Sequence, residues 1–158
     1  MVDGNRRHVR RGNLVKIDHD DLSAVDLDPA AFQRLVRTAE DVRENAYAPY
    51  SKFRVGAAVL ANDGKVYAGC NVENASYGMT ICAERSALFA AVADLGEALE
   101  VEAVVIVGPS GQLASPCGAC RQVIAELARD SVILFSSNSG FEHRTVDELL
   151  PDAFDLPR

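Results

Sequence analysis

The chain has 158 residues, 48% of them hydrophobic, and a formal net charge of −7. That suffices for one domain with a real core and is too short for two large ones, and it is too apolar for disorder to be the default. The acidic balance argues against a binder that works by neutralising nucleic-acid phosphates, and no run reaches the roughly 18 apolar residues of a membrane span.

Residues 1–16 carry five Lys/Arg against one Asp, and residues 17–28 carry five Asp and no Lys/Arg. This charge switch without periodicity reads as a loose, poorly ordered arm over 1–28, ahead of a single domain over 29–158. No apolar stretch follows the basic residues, so the arm does not read as a secretory signal. Four cysteines are too few for a dense disulfide framework and fit a cytoplasmic setting with metal-binding or reactive thiols.

Asp28-Pro29 predicts a helix start, and Phe32, Leu35, Val36, Ala39 and Val42 recur at helical spacing up to a loop at Pro49. Residues 53–61 (FRVGAAVLA) predict a buried strand, Asn62-Asp63-Gly64 a hairpin turn, and residues 65–72 (KVYAGCNV) the returning strand. A loop over 73–81 leads into an alanine-rich helix from about Ala83 to Leu95, which Gly96 stops. Residues 101–107 (VEAVVIV) predict a strand, broken by Gly108-Pro109-Ser110-Gly111. A second helix runs from near Cys117 to Ala128, a strand covers 132–136, and a polar loop containing His143 follows. Thr145-Val146-Asp147-Glu148 has the pattern of a capping box opening a short last helix, ended by Pro151. The order predicts an α/β fold in three layers (αβα): one mixed sheet, helices on both faces, and a parallel right-handed crossover after the hairpin.

Cys117 and Cys120 lie three apart at one helix start, on a shared face, and Cys82 lies at the start of the other. Helix N-termini favour thiolate over thiol. Two helices that follow strands of one sheet can bring their N-termini together, which gathers three thiolates around one point. Three protein ligands and an open fourth position describe catalytic zinc, whereas structural zinc takes four. The competing fourth ligand is Cys70, which also reads as a small buried residue in the second hairpin strand. His8, His19 and His143 sit at no helix start and are not expected as ligands. Glu84, two residues from Cys82, then reads as more than a solvated helix-start carboxylate.

Cys-Ala-Glu (82–84) with Pro-Cys-Gly-Ala-Cys (116–120) resembles the zinc-deaminase signature, a class in which a carboxylate beside the zinc ligands moves protons. With AYAPYSKF (46–53), GCNVEN (69–74), CAER (82–85), PCGACRQ (116–122) and ELLPDAF (148–154), the chain is similar to the small homotetrameric cytidine deaminases that act on free nucleosides. The resemblance covers about Phe32 to Phe154. It implies hydrolytic deamination of cytidine and 2′-deoxycytidine to the uridine forms, with ammonia release, in pyrimidine salvage. One zinc per chain would be held by Cys82, Cys117 and Cys120, and Glu84 would carry protons from water to N3 and then to the departing amine. Asn71 and Glu73 match residues that hold the ribose hydroxyls, Phe53 an aromatic beside the nucleoside, and Ala83 a backbone partner of the base. Tyr77 and Phe154 match positions that reach a neighbouring subunit's site. Arg85 and Arg121 each follow a catalytic or ligand residue, and we expect both to donate to thiolate sulfur and withdraw excess charge.

Four other readings compete. A CxxC thiol-redox protein leaves Cys82 and Glu84 unexplained. A deaminase acting on nucleic acid would need a basic, aromatic channel, and the chain has no Trp. An aminohydrolase of a cytosine-nucleoside antibiotic would not be expected to keep Asn-Val-Glu-Asn and Phe53, and a non-enzymatic zinc module leaves Glu84 unexplained.

Overall fold

The computed structural model describes residues 15–17, 22 and 25–154. In chain order these form β1 (Val15–Ile17), α1 (Pro29–Arg43), β2 (Gly56–Ala61), β3 (Val66–Cys70), α2 (Ala83–Leu95), β4 (Val101–Val107), α3 (Gly118–Leu127), β5 (Val132–Ser137), β6 (Gly140–Arg144) and α4 (Val146–Leu149). One six-stranded sheet has the order β1-β6-β5-β4-β2-β3. Only β4 and β5 run parallel, joined through α3, and every other neighbouring pair is antiparallel. The sheet is mixed, as the sequence predicts.

Successive strand residues point to opposite faces, so a strand covered on both faces reads as a continuous apolar run. On β4, Ala103 and Val105 join Ala58, Leu60 and Leu134 beneath α1, whose Phe32, Leu35, Val36 and Ala39 are buried there. Phe32 meets Phe141 edge-on, with ring centroids 5.2 Å apart. Val104 and Ile106 face the other way and pack with Val59, Ile133 and Phe135 under Leu88 of α2, Ile124 of α3 and Leu149 of α4. The three expected layers follow: α1, the sheet, then α2, α3 and α4.

The helix ends obey local chemistry. Asp28 accepts from the Ala31 N–H at 2.8 Å ahead of Pro29. Gly96 ends α2 with φ 59°, a conformation costly for a residue with Cβ. Thr145 and Glu148 form the reciprocal capping box at α4. A Cβ on Gly69 of β3 would overlap the backbone of Ala83 and Ala87, so its bare backbone is what lets α2 lie directly on this strand.

The sequence reading needs three corrections. The polar loop around His143 is a strand: Gly140–Arg144 is β6, paired with β5 on one side and β1 on the other. A two-residue turn, Asn138-Ser139, closes that hairpin, with Gly140 at φ 107°. Second, β2 starts at Gly56 and not at Phe53: the Phe53 carbonyl and the Val55 N–H bond the Asn71 side chain, while the Val55 carbonyl accepts from the Asn71 N–H at 3.2 Å. Third, β3 stops at Cys70, short of the expected Val72. Most of the arm expected over 1–28 lies outside the described residues, including His8 and His19. Within it, Val15–Ile17 pairs with β6, and Leu22 is buried beside α1.

Candidate active site

α2 and α3 follow β3 and β4, and their amino ends meet. Cys82 is the residue before α2 and Cys117 the residue before α3, both with extended backbone, and Cys120 lies one turn into α3. The three sulfurs lie within 4.8 Å of one another, with Cys82 Sγ and Cys117 Sγ 3.8 Å apart. Cys120 is buried, Cys82 half-buried and Cys117 exposed, and none forms a disulfide. Cys70 stands apart from this cluster, on β3 opposite Gly56.

The trio shares charge unevenly. Donation from the Cys120 thiol, with help from Arg85 and Cys117, pulls the Cys82 thiol down to about 5. Cys120, as the donor to Cys82 and in a buried position, is pushed up. Arg85 Nη2 lies 3.6 Å from Cys82 Sγ and donates to the Thr80 carbonyl at 3.2 Å. Arg85 therefore meets sulfur as expected. Arg121 does not follow that expectation: its Nε donates to the Pro116 carbonyl at 2.8 Å, Nη1 to the Leu149 carbonyl at 3.1 Å and Nη2 to Ser115 Oγ at 3.1 Å. One residue on from Cys120 is about 100° around the helix, which turns Arg121 towards α4 and away from the sulfurs.

Glu84 sits in the first turn of α2 and is only 4% exposed. Burial raises its carboxyl to about 7, and the charge of Cys82 adds to the rise. It opens on a cavity of about 320 Å³ lined by Phe53, Asn71, Glu73, Cys82, Ala83 and Cys117, among others. Asn71 is buried; its Oδ1 accepts from the Val55 N–H at 2.8 Å and its Nδ2 donates to the Phe53 carbonyl at 2.9 Å. That pair of bonds holds Phe53 at the cavity wall. The Glu73 carboxylate accepts from the N–H groups of Tyr50 at 2.8 Å and Ser51 at 3.2 Å. Hydrogen bonding from Ser51, ahead of that from Tyr50, holds it below the usual carboxylate range.

Tyr77 and Phe154 are not in this cavity. They are 78% and 70% exposed, and Tyr77 stacks edge-on against Tyr50 with centroids 6.3 Å apart. The cavity also gains Ser51, Val55, Thr80, Leu113, Ala114 and Ser115, which sequence reasoning missed. For Ser115 the one available signal was its place beside Pro116-Cys117. Leu113 carried none.

Residues 30–136 match the family described as the cytidine and deoxycytidylate deaminase zinc-binding region. The chain belongs to this family. A cytidine deaminase of Sporosarcina psychrophila is 48% identical over 124 residues, 77% of this chain and 90% of that protein. The solved cytidine deaminase from Burkholderia pseudomallei shares 47% identity and superposes with a TM-score of 0.70, covering 77% of this chain and 98% of that one. The one from Mycobacterium tuberculosis shares 39% identity with a TM-score of 0.68, covering 83% and 100%. The protein is a hydrolytic deaminase that binds zinc. The donor set fits: tetrahedral zinc with Zn–S distances of about 2.3 Å needs sulfurs about 3.8 Å apart, the separation of Cys82 and Cys117. Among the described residues, no helix is long and apolar enough to cross a membrane.

Proposed function

We propose that the protein hydrolytically deaminates cytidine and 2′-deoxycytidine to uridine and 2′-deoxyuridine, releasing ammonia, as a cytoplasmic enzyme of pyrimidine salvage. The observation that carries this reading is the buried Glu84 beside three clustered thiols, at the floor of a cavity lined by Phe53, Asn71 and Glu73.

Cys82, Cys117 and Cys120 hold one zinc per chain, which when bound supplies Lewis acidity towards water at neutral pH. Glu84 takes a proton from the attacking water and delivers it to N3 of the cytosine ring. It then carries the second proton to the amine at C4, which leaves as ammonia. A carboxyl raised to about 7 is ready for both roles near neutral pH. The backbone of Ala83, in the first turn of α2 where N–H groups lack helical partners, receives the base. The Phe53 ring lies along it.

Asn71 and Glu73 receive the ribose hydroxyls. Glu73 is suited to accept an O–H because its N–H bonds fix its position and keep it charged. The cavity's lining contains two carboxylates and no Lys or Arg, which favours an uncharged nucleoside over a phosphorylated one.

The functional unit is a homotetramer with sites shared between subunits. The exposure of Tyr77, Met79, Phe89 and Phe154 supports this, since these large apolar side chains are uncovered in one chain. The reading is tested by mixing the protein with cytidine and following ultraviolet loss and ammonia release. Turnover that a chelator abolishes and added zinc restores is expected. Absence of turnover by zinc-loaded protein on both cytidine and deoxycytidine would refute it.

A further inference from the structure

Cys117 is the least protected member of the sulfur trio. It is exposed and lies just outside α3, with no side-chain bond of its own to the helix end. What fixes it on the amino side is the loop that ends Ser115-Pro116. Two anchors hold that loop. One is β5: the Ala114 N–H donates to the Ser136 carbonyl and the Gly108 N–H to Ser136 Oγ, each at 2.9 Å. The other is Arg121. Its Nε binds the Pro116 carbonyl, Nη2 binds Ser115 Oγ and Nη1 reaches the Leu149 carbonyl at the end of α4.

Three donors in one plane thus meet three acceptors on two separate segments, and the side chain is half-buried among them. Next to it, Gln122 Nε2 donates to the Phe154 carbonyl at 2.9 Å, so α3 also holds the segment beyond α4.

We propose that Arg121 is a positioning residue for the metal site: by fastening the approach Ser115-Pro116 and the carboxyl end of α4 to α3, it sets where Cys117 Sγ stands relative to Cys82 and Cys120. This rests on the reading of those three cysteines as the zinc ligands. Arg121 acts by geometry, not by lending charge to sulfur. A lysine keeps the charge but puts its donors on one nitrogen in place of a planar fork of three, so it cannot span these three acceptors together.

The test is the rate at which zinc passes from the loaded protein to a colorimetric chelator, well below the unfolding temperature. Arg121→Lys and Arg121→Gln should both release zinc faster, by about the 10–100-fold typical of residues that orient metal ligands. Leu35→Val, which loosens the core under α1 on the other face of the sheet, should release at the wild-type rate despite its lower melting temperature. Equal rates for wild type and both Arg121 variants would overturn the proposal and leave the zinc site standing. A wild-type rate for Arg121→Lys alone would also overturn it, in favour of a charge role, and equal acceleration by Leu35→Val would reduce Arg121 to general stability. A wild-type protein that retains no zinc would bring down the ligand assignment itself. Should the Arg121 variants fail to fold, Ser115→Ala removes one of the three bonds: faster release supports the clamp and an unchanged rate contradicts it.

Discussion

In the proposed mechanism, Glu84 is the residue on which the chemistry turns. Its burial costs stability as an ion, and the protein accepts that cost because a carboxyl near 7 exchanges protons readily at neutral pH. Glu84→Gln keeps the shape and removes the proton carrier. We predict that this variant retains one zinc by metal analysis and loses at least about 10²–10⁴-fold in kcat; near-wild-type turnover would remove Glu84 from the mechanism. Asn71 works differently, since its amide is bonded to the backbone of both Phe53 and Val55. Asn71→Asp keeps an acceptor for Val55 and loses the donor to Phe53. It should lower stability by about 1–3 kcal/mol for the carbonyl left unpaired and raise KM for cytidine through a displaced Phe53, as thermal melts and steady-state kinetics would report. That Cys82, Glu84, Cys117 and Cys120 meet was legible because their spacing is fixed along the chain and helix starts announce themselves. The role of Arg121 was not legible, because the end of α4, whose Leu149 carbonyl accepts from it, reaches α3 only in the folded chain.

At the scale of elements, long apolar strands and capped helices could be read directly. α2 was found to the residue, stopped by Gly96. β6 was hidden because Gly-Phe-Glu-His-Arg offers a single apolar residue, and its pairing with β5 is a tertiary fact. Its placement has a consequence at His143, which burial holds below its ordinary range, with Arg144 adding to the fall and Glu148 opposing it. An unperturbed histidine, as in an unfolded chain, titrates near 6.5. Between that value and its lower folded value, the unfolded state binds more protons, so stability is intact above 6.5 and declines as the pH drops below it. Melting temperatures taken from about pH 7.5 to about pH 5.5 should fall more for wild type than for His143→Gln. Parallel curves would show that His143 contributes nothing to acid sensitivity.

At the scale of the whole molecule, the single chain brings its three cysteines together but leaves apolar groups uncovered. Its cavity wall is built from the loop before β2, the loop after β3, the start of α2 and the loop before α3. The Leu113–Ala114 part of that wall could not be read from sequence, since only folding brings it to the cavity. Tyr77 and Phe154 stand outside the wall with most of their surface exposed. If they complete a neighbouring subunit's site, Tyr77→Ala and Phe154→Ala should raise KM and shift sedimentation towards smaller species while zinc content stays at one per chain. Unchanged kinetics together with a monomeric wild type would refute the shared site.

Zinc-edge X-ray absorption on the protein purified without added metal reads the coordination shell on which all of this depends. Three sulfur neighbours and one lighter neighbour are predicted, from Cys82, Cys117, Cys120 and a position left open to solvent. Four sulfurs, with Cys70 closing the shell, or protein that carries no zinc at all, would contradict it.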